Sequence, residues 1–222
     1  HKQILTTQYR MIENIGNLIS KVFYRGIIDT GCNDDEKRHG LSRYVGKSIV
    51  WFDTSANKKK SQKRTKGGSY INEEEKRIIL EILDDLKSTG ELKGLDIGII
   101  TGYSGQKELL RKSIKATGLD KIASKIDINT LDAFQGREND IIIYSTVRTR
   151  DSIGFQKEKE RVNVAFSRAK KLLIVCGDKN FFYNFDDQDN KFVEIIDYIS
   201  EEEECEIIQC DGGKLFERES NS

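Results

Sequence analysis

The sequence predicts an α/β domain with a mostly parallel sheet, and two observations point there. Apolar runs of strand length alternate with segments whose apolar residues recur at helical spacing. Four polar segments stand where predicted strands meet helices or turns, the usual place for binding sites in open α/β sheets.

Taken in order, Ile4, Leu5 and Thr6 read as a short first strand. Ile12, Ile15, Leu18, Ile19 and Val22 follow at helical spacing, up to Tyr24. Residues 47–53 are a strand pattern. Asn72 is placed to cap a helix whose Ile78, Ile79, Ile82, Leu83 and Leu86 face the core. Residues 95–101 form the next strand and 105–117 a helix, with further strands at 126–130 and 140–146. A helix is expected from Arg161 to Lys170, seated by Val162, Phe166 and Ala169. It would place Arg161 and Arg168 two turns apart on one face. Residues 172–178 read as a buried strand ending in a Gly-Asp turn, 192–200 as the last helix, and 207–209 as an edge strand.

Proline is absent, so glycine and polar clusters do the punctuating. Residues 29–46 and 54–70 read as loops or insertions. The second is basic, with Lys58, Lys59, Lys60, Lys63, Arg64 and Lys66. It suits either a phosphate backbone or plain solvation. An acidic helix and tail is expected over 186–222, peripheral to a main domain of 1–185.

At 222 residues the chain can bury a core without staples. Its 37 basic and 37 acidic residues cancel, which argues neither for nor against nucleic acid, since local patches decide that. No apolar run approaches ~18 residues, so no membrane span is expected. Cys32, Cys176, Cys205 and Cys210 form no CxxC pair, so no metal site is expected either. With no signal-peptide pattern, these features fit a reduced, cytoplasmic and monomeric protein.

Each polar segment has its own chemistry. Gln8-Tyr9-Arg10-Met11 sets an aromatic beside a cation at a helix start, able to stack on a base and reach a phosphate. Thr101-Gly102-Tyr103-Ser104-Gly105-Gln106 brings hydroxyls and free N–H groups to a helix N-terminus. In the segment from Thr130 to Asp140, Gly136 permits close backbone approach and Glu138 can accept from a hydroxyl. The fourth segment holds Arg168, a guanidinium suited to charge on a transferring phosphoryl group.

The order QYRM, TGYSGQ, TLDAFQGREND, VNVAFSRAK resembles the second RecA-like domain of superfamily 1 helicases of the Upf1-like group. Ser69 to Glu75 and Ser145 to Arg148 are similar to further segments of that family, and the likeness spans roughly residues 4–180. It implies a RecA-like, P-loop-NTPase-type α/β fold, a mostly parallel sheet with helices on both faces. By the same resemblance Tyr9 would stack on the adenine of ATP and Glu138 would bind the ribose. Arg10 and Arg168 would contact the γ-phosphate, which Gly136 would approach through its backbone. Thr101 and Thr130 would hold backbone phosphates of single-stranded nucleic acid, with Tyr103, Ser104 and Arg148 as further contacts. The sequence departs from the family pattern at Ile12 and Glu13 (usually His-Pro), Gly102 (usually Pro) and Glu160 (often Arg). The last departure weakens Arg161 as an ATP contact and offers it Glu160 or Glu158 as a partner.

The 222 residues contain no GxxxxGK[ST] loop and no Asp-Glu pair of the Mg²⁺-binding kind. The expected function is therefore the C-terminal motor half of an ATP-dependent helicase or translocase, inactive alone, with Mg²⁺ held by the first RecA-like domain. A non-catalytic nucleic-acid-binding or regulatory module that keeps the fold is the alternative.

Overall fold

The computed structural model describes residues 6–32, 38–57, 61–121, 125–134 and 136–216. Ile4, Leu5, Lys58, Lys59, Lys60 and the tail beyond 216, on which expectations fell, lie outside them.

Along the chain run β1 (Thr7–Gln8), α1 (Glu13–Tyr24), β2 (Asp29–Thr30), β3 (Ile49–Asp53), β4 (Gln62–Arg64), β5 (Tyr70–Asn72) and α2 (Glu73–Ser88). Then come β6 (Asp96–Thr101), α3 (Ser104–Thr117), β7 (Lys125–Thr130), β8 (Asn139–Ser145), α4 (Lys159–Phe166), β9 (Ala169–Gly177), α5 (Lys179–Tyr183), α6 (Phe192–Glu201) and β10 (Cys205–Gln209). Six strands form one sheet in the order β10-β3-β9-β8-β6-β7, and every neighbouring pair is parallel.

Period-2 alternation divides the core between the two faces. Ile49, Trp51, Ile142, Tyr144, Leu173 and Val175 point to the side covered by α1, α4 and α6. Val50, Phe52, Ile141, Ile143, Leu172 and Ile174 point to the side covered by α2 and α3. Strands buried on both faces need near-continuous apolar runs, which is what these sequences are. Helices therefore cover both faces, as the resemblance implied.

Asn72 caps α2 as expected, its side chain accepting from the Glu74 and Glu75 N–H groups. The segment 54–70 is more than a loop: β4 and β5 pair as an antiparallel ribbon, Gln62 opposite Asn72. Likewise 29–46 contributes β2, which pairs with β1. Helix α6 is not peripheral. Phe192, Ile195, Ile196, Tyr198 and Ile199 are buried, and Phe192 packs edge-on against Trp51 and Phe166. The acidic side chains of this segment occupy the outer face of a core element. No helix among the described residues is long and apolar enough to cross a membrane.

Candidate nucleotide half-site and strand face

The expectation that Arg161 and Arg168 share a helix face is overturned. Helix α4 stops at Phe166, Ser167 caps it, and β9 begins at Ala169. Ala169 thus belongs to the strand rather than to the helical stripe. A buried parallel strand needs backbone partners, and the chain supplies them from Arg168 onward. The Asn139 N–H donates to the Arg168 carbonyl at 3.1 Å, joining the entrances of β8 and β9. Arg168 therefore sits at the N-terminal edge of the sheet. Arg161 stays on the first turns of α4, paired with Glu158 at 2.7 Å and with Asp132 at 3.6 Å.

Three of the expected residues converge at that edge. Glu138 immediately precedes β8, and its carboxylate accepts from Arg10 Nε at 2.6 Å. Arg10 also donates to the Ser167 carbonyl at 3.3 Å. The turn holding Arg10 is built by Gln8, whose Oε1 accepts from the Arg10 and Met11 N–H groups while Nε2 donates to Thr30 Oγ1. An Ile12 N–H bond to the Lys170 carbonyl, 2.8 Å, pins this turn beside Arg168. Gln8 was not singled out in the sequence, although its place one residue before the aromatic–cation pair was visible.

The Glu138 carboxylate acts on both guanidinia, and Arg168 Nε is buried with no hydrogen-bond partner among the described residues. Burial, and then the charge of Arg10, push Arg168 below the usual guanidinium range, while Glu138 pulls it back up. A buried cationic donor lacking a partner is costly, so the arrangement fits an anion. Gly136 nearby is exposed, at φ +81° with open space around it, a conformation that favours glycine. Tyr9 is 68% exposed. Its ring lies so near Gly31 that a Cβ there would fall 2.5 Å from it. Tyr9, Arg10, Gly136, Glu138 and Arg168 thus occupy one end of the molecule.

The other expected group lies at the opposite, C-terminal edge, about 20 Å away along β8. Thr101 stands in register with Thr130 on one side and Ser145 on the other. The structure corrects how these residues are presented. Thr101, Tyr103 and Arg148 are buried, while Ser104 is exposed and Thr130 half-buried. Arg148 lies over the Tyr70 ring at 4.1 Å, and Tyr70 meets Tyr103 edge-on. Burial raises the Tyr103 hydroxyl, and the Arg148 charge opposes that rise. Helix α3 is capped not by its own Ser104 but by Ser69 from the ribbon, which accepts from the Gly105 N–H at 3.0 Å.

Beneath this edge lies Glu75, fully buried. Its carboxylate accepts from Ser145 Oγ (2.6 Å), Thr146 Oγ1 (3.1 Å), Asn72 Nδ2 (3.1 Å) and the Val147 N–H (2.9 Å to each oxygen). Burial pushes this carboxyl up to about 8 against the pull of those donors. Val147 stands at φ +69°, a strained position for a β-branched residue. Glu75 was overlooked within an acidic run, yet helical spacing puts it on the face of Ile78, Ile79 and Ile82.

A family model described as an AAA domain (AAA_12) matches residues 1–180. Helicase SEN1 of Saccharomyces cerevisiae is 36% identical over 185 residues, covering 78% of this chain and 8% of that protein. An ATP-dependent helicase of Methanocaldococcus jannaschii is 33% identical over 220 residues, 93% of this chain and 31% of that protein. ATP-dependent helicase NAM7 of Saccharomyces cerevisiae is 32% identical over 182 residues, 78% and 18%. A solved structure described as the C-terminal domain of a possible DNA helicase from Lactobacillus matches at TM-score 0.43 and 15% identity, over 77% of this chain and 88% of that one. The chain thus spans less than a third of each of the three named helicases. It belongs to the AAA domain family (AAA_12) and, within it, to the Upf1-like superfamily 1 helicases.

Proposed function

We propose that this chain is the second RecA-like domain, the C-terminal motor half, of an ATP-dependent helicase or translocase. The carrying observation is the meeting of Arg10, Glu138 and Arg168, from three distant segments, with Arg168 Nε buried and without a hydrogen-bond partner among the described residues. ATP would supply the phosphoric anhydride, whose binding closes the two domains and whose cleavage lets them reopen, with Mg²⁺ held by the first RecA-like domain. On this side, Arg10 and Arg168 offer donors to the γ-phosphate, Gly136 lets the backbone approach it, Glu138 accepts from the ribose and Tyr9 stacks on the adenine. Developing charge meets donors that are already in place, and little reorganisation is needed.

At the other edge Ser104 and Thr130 offer surface hydroxyls to a single strand. Thr101, Tyr103 and Arg148 support them from beneath. The nucleotide half needs a P-loop from elsewhere, so the 222 residues alone neither hydrolyse ATP nor unwind a duplex. Two tests apply. The parent reading frame should encode a P-loop upstream of His1. In the parent, Arg168→Ala should lower strand-stimulated ATPase at least ~10²-fold, a floor set below the ~10³–10⁵ range of arginine-finger effects. A rate near wild type removes Arg168 from the reaction.

A further inference from the structure

We propose that Phe155 is a stacking platform for one base of the single strand, a contact that none of the motif residues supplies. The proposal rests on the helicase reading above and adds to it the part of the strand that is touched.

Phe155 is 46% exposed, and isolated surface apolar residues are ordinary. This one differs in the backbone that presents it. The segment from Ser145 to Phe155 holds Val147 at φ +69° and Asp151 at φ +67°, left-handed positions that L-residues with side chains occupy at a cost. Gly154 follows at φ +62°, and a Cβ there would fall 2.2 Å from the Tyr103 hydroxyl oxygen. The strained segment therefore closes over Tyr103 and sets Phe155 across Gly102, near enough that a Cβ on Gly102 would touch its side chain at 3.8 Å.

The ring consequently lies at the exit of β6, 5.7 Å from Tyr103, beside the end of the sheet that carries Ser104 and Thr130. Arg161 brings its guanidinium to 5.2 Å from the ring centroid. An exposed ring backed by a cation, next to hydroxyls at strand ends, combines the two elements of sequence-tolerant single-strand contacts: a π-face for the base and polar groups for the backbone. It also gives Arg161 a place on the strand side of the molecule.

The test uses the full 222-residue chain, a fluorescein-labelled 20-mer of oligothymidylate and an abasic 20-mer of equal length. Phe155→Ala should weaken oligothymidylate binding by about 5- to 150-fold, the range for one lost base–aromatic stack. Binding to the abasic strand should stay at the wild-type level. Phe155→Trp should keep the affinity and show emission quenched by oligothymidylate and not by the abasic strand. No loss in Phe155→Ala, or equal losses on both strands, overturns the stacking role and leaves strand binding standing. A wild-type chain that binds neither strand overturns the stacking role together with the reading beneath it.

Discussion

Replacing Glu75 tests how the C-terminal edge of the sheet is held. In Glu75→Ala the Val147 N–H and one hydrogen of Asn72 Nδ2 lose their carboxylate, and both are buried, while Nδ2 keeps its bond to the Val147 carbonyl. Each fixed orphan costs about 1–3 kcal/mol. The Ser145 and Thr146 hydroxyls can rotate, and relaxation of Val147 from φ +69° returns a share of the strain. The net loss should be about 3–5 kcal/mol, which lowers the melting temperature by roughly 6–20 °C in a domain of this size. Glu75→Gln separates charge from shape. The carboxyl lies at about 8 in the folded chain, above its unfolded value near ~4.3, so the folded state holds the extra proton between those limits. That contribution is fully present below the unfolded value and is lost as pH rises through about 8. The 2.6 Å contact with Ser145 Oγ is where this proton can sit. Asp178, a further acid whose charge raises Glu75, acts in the same direction. Urea denaturation of wild type and Glu75→Gln at pH 5 and pH 8 gives a double difference in which all other titrations cancel. Wild type should lose several kcal/mol more than the variant between the two pH values. Equal pH dependence would show that Glu75 is ionised throughout, and the donors would then outweigh burial.

Two further outcomes follow from the same geometry. The Arg10–Glu138 pair is 40% and 46% exposed, so Glu138→Gln should shift stability by less than ~1 kcal/mol. In the parent enzyme it should raise the KM for ATP about tenfold, as expected for one lost hydrogen bond to a charged acceptor; an unchanged KM would remove Glu138 from the nucleotide side. Ending the chain at residue 185 strips the core of Phe192, Ile195, Ile196, Tyr198 and Ile199. At ~1.5–3 kcal/mol each, the loss of about 8–15 kcal/mol matches the whole stability of an ordinary domain. The truncated chain should show no cooperative melting transition, and a wild-type melt would mean that α6 is dispensable.

Much of the layer structure was legible because it depends on local pattern. The apolar runs of β3, β6, β8 and β9 are too continuous for a half-exposed sheet, and Asn72 before an acidic first turn marks a helix start. The tail was harder to read because Glu201 to Glu204 dominate its composition, while the five buried side chains of α6 are spread at helical spacing before them. The β4–β5 ribbon escaped because its strands are three residues long and carry Gln62, Lys63 and Arg64, where alternation has nothing apolar to mark.

The site was legible as a set of residues and not as an arrangement, and Arg168 shows why. Val162 to Lys170 satisfies a helical pattern throughout, and a single-sequence reading has no reason to end the helix at Phe166. The end is imposed from outside, by the Asn139 N–H that takes the Arg168 carbonyl and by the Lys170 carbonyl that takes the Ile12 N–H. Both partners come from segments distant in sequence, and both bonds would be lost if the helix ran on. Holding Arg168 in a turn brings it toward Arg10 and Glu138 and leaves its Nε without a hydrogen-bond partner among the described residues. On a continuous helix it would instead have shared a face with Arg161, whose pairing with Glu158 and Asp132 gives that residue the partners Arg168 Nε lacks. The separation of the two arginines is therefore a tertiary event, and it distinguishes a cation left open to an anion from one already neutralised.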